Sequence, residues 1–492
     1  MVNIDVRGET ERVNNFWNAV HFHPTDAIED EWGQRILDSI ADNRAANFVR
    51  IYAMLEDIVS RDDKGNLIYD FALNDERIDY LIQKGFDLLI CFNFMPDCIA
   101  KNPKQDTGIP RYKGKRVNNS PPLDYALWEE VCFKYTEHLR ERYGAERLSR
   151  WYFHCWNEPD HEYWVTSKSC FDYERDNDTD KIEEYIKLYD AFASGVNRAC
   201  GEVKIGGPSA AVCDGFMHTF IEHVSENEIK FDFLSIHAYS DIKYSNTDGK
   251  ICPENILKRV ITAQDMLREY NLGHTEIIMD EWGAAAGGFL SIKKNPEMIF
   301  RENEYFPAFY FKLIKLIAES GVNMSHMLIC LSGQHKSVSD FDGYRSFFTK
   351  SGFKKPIYNG YCLSARLGTL WFDCKCDDCI ATVNENGDVI IAVYSLENIE
   401  KKINISITGL QGSYEVRHTR IDRENANSYT AWLDLGSAEE INEEQKCLIY
   451  ESGELKTITD GICGADYSKE IVFDSCGVEL IELVKKRGIK NE

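Results

Sequence analysis

The sequence predicts a (β/α)8 barrel followed by a β-sandwich. Eight mostly apolar runs of strand length occur in the first three-quarters of the chain, as expected for parallel strands that are covered on both faces. Amphipathic segments with helical spacing separate these runs. After about residue 376 the pattern changes to short alternating strands with turn signals between them, which is typical of a sandwich.

The apolar runs are the predicted barrel strands. They cover residues 14–22, 47–53, 86–95, 150–158, 203–209, 231–239, 275–283 and 324–332. Segments 30–43, 124–144 and 254–271 are among the predicted helices between them. An open doubly wound sheet is the structural alternative. It would need a glycine-rich phosphate turn after an early strand, and the sequence contains no GxGxxG motif.

The C-terminal quarter has the signals of an all-β domain. Its predicted strands cover residues 388–396, 402–410, 412–422, 470–474 and 478–484, and Asn386-Gly387 is a turn signal. We therefore expect a catalytic barrel over residues 1–375 and an accessory β-sandwich over residues 376–492. Pairing of the first few residues with the sandwich is compatible with this division.

Charge and composition exclude some classes of partner. The net charge is −25, from 56 basic and 81 acidic residues, so the surface repels phosphate backbones and anionic lipid. We expect neither nucleic-acid nor membrane partners. The N-terminus lacks the apolar region of a secretory signal, and no apolar run approaches the ~18 residues that span a bilayer. Sixteen scattered cysteines suit a reducing compartment, so a cytoplasmic location is expected.

One cysteine cluster raises the question of a metal. Cys374, Cys376 and Cys379 are closely spaced, as in some zinc sites, but no second well-spaced pair follows them. We therefore expect no metal and no organic cofactor.

Acidic residues end two of the predicted barrel strands. Hydrolysis of a glycoside needs one carboxyl group to protonate the leaving oxygen and a second to act as nucleophile or base. In this fold such groups lie at the carboxyl ends of strands. Glu158 ends the fourth run, where Pro159 cannot continue the sheet ladder. Asn157 precedes it and carries an amide suited to a sugar hydroxyl.

The seventh run ends in Asp280-Glu281. Side chains alternate along a strand, so we expect only one of these two carboxylates to point into the barrel mouth, and the spacing leaves open which one. Strands four and seven face each other across a barrel, and a carboxyl separation of about 5–5.5 Å would predict retention of anomeric configuration. A barrel that binds carbohydrate without catalysis, and glutamates that are merely surface charges, are the alternatives.

At these residues the chain resembles glycoside hydrolase family 39, the family of β-xylosidases and α-L-iduronidases. The resemblance rests on PPLDYALWEEV, LRERYG and RWYFHCWNEPD, on FNFMPDCIA, IGGPS and DFLSIHAY, and on IDRENANSYTAWLDLGS. It implies an exo-acting, retaining β-xylosidase-like enzyme with Glu158 as acid/base and Glu281, not Asp280, as nucleophile. It further implies a homo-oligomer, commonly a tetramer.

The resemblance also implies roles for residues around this pair. Arg50 would steady the nucleophile, although a salt bridge at the barrel bottom is its alternative role. Asn157 would contact the sugar 2-hydroxyl, and His237 and Tyr239 would lie near the nucleophile. Further expected substrate contacts are His21, Tyr52 and Trp282.

The chain departs from the family pattern at several positions. Tyr52 stands where a sugar-contacting histidine is usual, and the eighth strand and its loop (328–342) lack the usual tryptophan. Strand six carries His-Ala-Tyr in place of the iduronidase-type His-Arg-Lys, which removes a cationic partner for a uronic acid. The sugar therefore stays open between a β-xyloside and another glycoside such as an arabinoside, a galactoside or an exopolysaccharide.

Overall fold

Parallel strands form a closed barrel, and a mostly antiparallel pair of sheets forms a sandwich beside it, in which only the first strand pairs in parallel among the described residues. The computed structural model describes residues 2–23, 26–103, 115, 117–160, 178–213, 215–240, 251–287, 291–331 and 339–486, without the side chains of residues 178–180. Part of the predicted loop after the eighth strand, residues 332–338, lies outside the described residues.

The strands follow one another along the chain in this order: β1 Val2–Asp5, β2 Thr10–Arg12, β3 Ala19–Phe22, β4 Phe48–Tyr52, β5 Val59–Arg61, β6 Leu67–Tyr69, β7 Asp87–Phe92, β8 Tyr152–Cys155, β9 Lys204–Ala210, β10 Phe233–Tyr239, β11 Glu276–Gly283, β12 Met324–Leu331, β13 Leu370–Phe372, β14 Cys379–Val383, β15 Val389–Ser395, β16 Lys401–Thr408, β17 Tyr414–Ile421, β18 Thr457–Cys463, β19 Tyr467–Phe473 and β20 Gly477–Lys485.

The helices are α1 Glu31–Asp42, α2 Leu55–Ile58, α3 Ala72–Gln83, α4 Tyr125–Tyr143, α5 Ala145–Leu148, α6 Asp178–Ala199, α7 Gly215–Glu226, α8 Pro253–Glu269, α9 Tyr305–Glu319, α10 Pro356–Ser364, α11 Ser428–Asp434 and α12 Glu443–Ser452, with a 3-10 helix at Pro296–Arg301.

The predicted barrel is confirmed. Each of the eight apolar runs overlaps one strand of the closed sheet, whose order is β10-β11-β12-β3-β4-β7-β8-β9. The fourth strand ends earlier than Pro159 had suggested. It stops at Cys155, because Trp156 has a φ of 67° and leaves the extended conformation. Glu158 therefore lies on the loop just beyond the strand.

The barrel interior is built in layers by the two-residue period of its strands. One layer is apolar and consists of Ala19, Phe48, Leu89, Tyr152, Phe233, Ile278 and Leu328. Two residues further along these same strands stand His21, Arg50, Cys91, His154, Ser235, Asp280 and Cys330, all fully buried. The sequence thus fills the lower barrel with apolar side chains and places polar ones toward the carboxyl ends, where barrel sites lie.

The sandwich consists of a three-stranded sheet, β1-β16-β19, and a seven-stranded sheet, β18-β17-β20-β15-β14-β13-β2. The first strands of the chain belong to it, since Val2 pairs with Ile405 and Thr10 with Phe372. Between β17 and β18 the chain forms α11 and α12, which pack against Phe341 and Phe353 beyond the eighth barrel strand. The division at residue 375 stays a prediction.

None of the helices in the described part of the chain is both long and apolar enough to cross a membrane.

Candidate active site

Arg50 is the centre of the polar layer. Its side chain is fully buried, and its guanidinium contacts six residues of the surrounding strands and loops. Its partners are His154 Nε2 at 3.2 Å, His21 Nδ1 at 3.3 Å, Glu281 Oε1 at 2.9 Å, Asn157 Oδ1 at 2.6 Å, Ser209 Oγ at 3.1 Å and Asp280 Oδ2 at 3.3 Å. These contacts lie at the barrel mouth and exclude the alternative role in a salt bridge at the barrel bottom.

Asp280 and Glu281 both point into the barrel, so the expectation that only one could do so is wrong. The cause is a β-bulge in β11. Along β10, Ile236 pairs with Met279 but His237 pairs with Glu281, so β11 carries one extra residue at this point. The bulge breaks the alternation of side chains, and both carboxylates reach Arg50.

The two carboxylates occupy different depths. Asp280 is fully buried, and its Oδ2 accepts a hydrogen bond of 2.5 Å from Ser209 Oγ. Glu281 stands nearer the opening and accepts from Arg50 and, at 2.8 Å, from the hydroxyl of Tyr239. Burial opposes ionisation of Glu281, but the charges of His237 and Arg50 outweigh it and hold the pKa of that carboxyl well below its usual range.

Glu158 approaches Glu281 from the other side of the mouth. Its φ is 46°, a left-handed conformation that a non-glycine residue seldom adopts, and its backbone N–H donates to the carbonyl of Ser209 at 3.0 Å. Its Oε1 lies 2.7 Å from Nδ1 of His237. Carboxylate oxygens of Glu158 and Glu281 and a ring nitrogen of His237 all lie within 4.8 Å of one another.

His237 is the second cation of this cluster. Burial alone would lower its pKa, but the carboxylates of Glu281, Asp280 and Glu158 raise the pKa of His237 to about 10. Its Nε2 lies 3.0 Å from Ser209 Oγ. Because Ser209 uses its single proton toward Asp280, His237 donates from both ring nitrogens, which agrees with a protonated ring.

Asn157 and Tyr52 lie together beside Arg50. The amide oxygen of Asn157 accepts hydrogen bonds from Arg50 and, at 2.9 Å, from the hydroxyl of Tyr52. These two donors fix the orientation of the amide and leave its nitrogen as the group that can donate to a ligand. Tyr52 thus orients Asn157 from the position where the family usually has a histidine.

His21 is held as a neutral ring. Arginine can only donate, so the His21 Nδ1 that faces Arg50 must accept. Burial and the charge of Arg50 hold the pKa of His21 well below its usual range. Its Nε2 is buried and has no hydrogen-bond partner among the described residues.

Trp282 does not join the other expected residues. Its ring is fully buried, stacks on Tyr310 of α9 at a centroid distance of 5.6 Å, and therefore lies in the helix layer outside the barrel. The bulge explains this placement: with both preceding residues facing inward, the side chain of Trp282 turns outward. A substrate contact by Trp282 is not supported.

Arg345 was missed by sequence reasoning. It lies on the chain beyond the eighth strand, and its Nη1 donates to the hydroxyl of Tyr239, the same hydroxyl that donates to Glu281. No local motif marks it, since an arginine in a loop carries no periodic signal. Its position depends on contacts with residues that are distant in sequence, such as Tyr239 and Glu302.

Two groups of side chains in this site have ligand atoms close enough together to hold a metal ion. Glu281 with His21 and Cys330, and Glu281 with Glu158 and His237, bring ligand atoms within 4.8 Å. Both sets depend on Glu281, whose oxygens already accept from Arg50 and Tyr239. A cation there would have to displace these donors beside the charge of Arg50. The arrangement suits two cooperating carboxylates better.

A family model decides what this barrel is. The model of the glycosyl hydrolases family 39 matches residues 1–453 of the chain. The chain belongs to this family. It is a glycoside hydrolase, and the resemblance noted in its sequence is confirmed.

Several known proteins are similar over almost the whole chain. A β-xylosidase from Caldicellulosiruptor saccharolyticus is 27% identical over 94% of this chain and 93% of its own length. A β-xylosidase from Geobacillus stearothermophilus is 22% identical over 85% of this chain and 81% of its own. The crystal structure of a monomeric β-xylosidase from Caulobacter crescentus CB15 has a TM-score of 0.82 at 19% identity, with 99% of both chains covered.

The charge on His237 predicts how stability depends on pH. Its pKa is about 10 in the folded protein and about 6.5 when unfolded, so its stabilising contribution is complete below pH 6.5 and is lost as pH rises toward 10. We expect the difference in free energy of unfolding between the wild type and His237→Gln to be a few kcal/mol at pH 6.5 and to shrink by pH 10. Urea denaturation at several pH values measures it.

The exposed His274→Gln is the control for the substitution itself and should stay near wild type throughout. A difference for His237→Gln that does not change between pH 6.5 and 10 would show that His237 is neutral in the folded protein.

Proposed function

We propose that this family 39 enzyme is an exo-acting, retaining hydrolase of a β-xyloside or a related pentoside, in which Glu281 is the nucleophile and Glu158 the general acid/base. The observation that carries this proposal is the approach of the two carboxylates to within 4.8 Å. This approach of the nearest oxygens is closer than the roughly 6.5–9.5 Å between the carboxyl groups of inverting enzymes and supports the spacing of about 5–5.5 Å that retaining enzymes use.

The surroundings of Glu281 suit a nucleophile. Arg50 and His237 keep it ionised, and Arg50 and Tyr239 aim its two oxygens. Asp280 is the alternative nucleophile, but it is fully buried beneath Glu281 and its Oδ2 is engaged by Ser209. Asp280 therefore serves to balance the charges of Arg50 and His237.

The surroundings of Glu158 suit a group that gives up and regains a proton. It is the more exposed of the two carboxylates, with 15% of its side chain accessible, against 7% for Glu281. His237 binds Oε1 and leaves Oε2 to carry the proton that goes to the leaving oxygen.

The reaction then proceeds by double displacement. Glu281 attacks the anomeric carbon and forms an ester bond as the glycosidic C–O bond breaks, while Glu158 passes its proton to the departing oxygen. In the second step Glu158 takes a proton from water, the hydroxide attacks the same carbon, and Glu281 leaves as a carboxylate. Asn157 offers its amide nitrogen to the sugar 2-hydroxyl, and His21 offers Nε2–H to another hydroxyl.

The choice of a β-xyloside rests on the two β-xylosidases that are similar over most of the chain. The missing tryptophan of the eighth strand favours a second candidate, a glycoside of another sugar, since that wall borders the terminal sugar in the family. A barrel that only binds carbohydrate is disfavoured, because binding does not require two carboxylates at catalytic distance.

The remaining expectations stay predictions. The family resemblance suggests a tetramer, whereas the Caulobacter relative is described as monomeric. The free thiols and the net charge of −25 support a cytoplasmic enzyme without nucleic-acid partners.

Azide rescue of two matched variants tests the assigned roles. Glu281→Gly should lose roughly 10⁴-fold or more in turnover of an activated aryl β-glycoside. Azide should restore turnover by direct attack and give the α-glycosyl azide. With Glu158→Ala, azide should attack the glycosyl-enzyme from the other face and give the β-glycosyl azide. NMR of the products distinguishes the two anomers.

Each variant is the control for the other, because azide must yield opposite anomers with the two variants. Failure of azide to rescue Glu281→Gly, combined with rescue of an Asp280→Gly variant, would move the nucleophile to Asp280.

A panel of nitrophenyl glycosides tests the sugar. We expect the highest kcat/KM on the β-xyloside. It should lie at least about tenfold above the galactoside, glucoside and uronides, because one extra exocyclic group in a fitted pocket is worth about that factor. It should also exceed that on the arabinoside, whose hydroxyl groups are arranged differently. A preference for any other sugar in the panel would assign the second candidate.

A further inference from the structure

We propose that Arg345 is a positioning residue for the nucleophile, acting through the hydroxyl of Tyr239. This inference rests on the proposed role of Glu281. The geometry forms a directed chain from Arg345 to Tyr239 to Glu281. Arg345 does not belong to a barrel strand. This series of hydrogen bonds therefore links a residue outside the barrel sheet to the carboxylate inside the barrel.

The direction of this chain is fixed by the donors available. An arginine side chain can only donate hydrogen bonds, so the Tyr239 oxygen must accept from Nη1 of Arg345. A phenol has a single proton, and with its oxygen accepting from Arg345 that proton is directed to Oε2 of Glu281 at 2.8 Å. Without Arg345 the hydroxyl could rotate and donate elsewhere, and Glu281 would lose a donor.

A rigid support holds Arg345 in this place. Glu302 accepts hydrogen bonds of 2.6 Å from the backbone N–H of Gly343 and from Nζ of Lys355, and Lys355 also donates to the carbonyl of Tyr344 at 3.0 Å. Arg301 donates to the carbonyl of Gly343 at 3.0 Å. The two residues that precede Arg345 are thus tied to buried charged side chains, which limits movement of the loop.

The guanidinium also lies against the ring that it orients. Its carbon is 5.3 Å from the centroid of Tyr239, within the range of a cation–π contact. The ring itself is buried, with 6% exposed. Arg345 therefore restrains both the hydroxyl and the ring, and its positive charge favours the ionised form of Glu281 beyond.

This arrangement predicts where in the reaction Arg345 matters. Glu281 must be an anion when it attacks and again when it leaves in the second step. A hydrogen bond to its oxygen stabilises the leaving carboxylate, so loss of Arg345 should slow the second step. It should also allow Glu281 to take up a proton at higher pH, which moves the acidic limb of the activity profile.

Other charged or titratable groups also face Glu281 and would remain in a variant of Arg345. They include Arg50 on β4, His237 and Tyr239 on β10, His21 on β3, His23 just beyond it, Cys330 on β12 and Glu158 after β8. Tyr52 on β4, Cys91 on β7 and His154 on β8 also interact with the charge of Glu281. The shift of the acidic limb should therefore be partial, about one pH unit.

A double-mutant cycle tests the proposal. Arg345→Gln, Tyr239→Phe and the double variant are compared by kcat and kcat/KM across pH on the best nitrophenyl glycoside. We expect each single variant to lose roughly tenfold or more in kcat, with KM unchanged or lower, and the acidic limb to rise by about one pH unit. The double variant should lie within about twofold of Tyr239→Phe, because Arg345 acts through that hydroxyl.

Two further variants exclude simpler explanations. Arg345→Lys also only donates and should recover most of the activity and the acidic limb. Arg268→Gln removes an exposed arginine paired with Asp265 on α8 and should leave both unchanged. If Arg345→Gln proves unstable in thermal unfolding, Arg345→Met, which keeps the apolar stem but removes the donors, and its combination with Tyr239→Phe provide the same cycle.

Multiplying losses in the double variant, or an unmoved acidic limb in Arg345→Gln, would overturn the proposal. Multiplying losses would mean that Arg345 acts independently of the Tyr239 hydroxyl. These outcomes are distinct from failure of the proposed function. If Glu281 is not the nucleophile, azide does not rescue Glu281→Gly, whatever the cycle shows.

Discussion

The buried guanidinium of Arg50 is the group on which the rest of the site depends. Removing a charge of this size from water costs several kcal/mol, and the cost is offset only when nearly every donor finds an acceptor. Strands and loops from several sides of the barrel supply those acceptors, two of which are carboxylates. Once Arg50 is paired with Asp280 and Glu281, the remaining negative charge requires a second cation, and His237 supplies it.

The same balance of buried charges gives the three carboxylates different roles. Asp280 lies deepest and compensates charge, Glu281 is held as an anion nearer the opening, and Glu158 stands at the solvent side with one oxygen uncommitted to His237. Three carboxylates in one cluster would repel one another if left unpaired. Their separation into three roles follows from which strand end or loop carries each and from the cations that lie between them.

The barrel could be predicted because its signal is local and repeated. Each strand is an apolar run, and the order of eight such runs determines which strand ends meet. The pair Glu158 and Glu281 followed from that order and from the family resemblance. Arg50, Asn157, His237, Tyr239, Tyr52 and His21 likewise lie around it.

Other features of the site could not be found in this way. The bulge at Asp280 adds one residue to β11 and turns the side chain of Trp282 to the outside of the barrel. No residue type in the segment IIMDEWG predicts this bulge. Arg345 reaches Tyr239 because the residues before it are held by Lys355 and by Glu302, and Glu302 lies 41 residues before Gly343 in the sequence. Such features depend on tertiary contacts and not on periodicity, and they shape the pocket in which the sugar must fit.

The central claim is that Glu158 and Glu281, whose nearest carboxylate oxygens lie within 4.8 Å of each other, carry out a double displacement. The most direct measurement is proton NMR of the first sugar released from a β-glycoside, recorded before mutarotation. The account predicts the β-anomer, because two successive inversions at the anomeric carbon restore its configuration. Initial release of the α-anomer would mean a single displacement by water, and would contradict a nucleophilic role for Glu281.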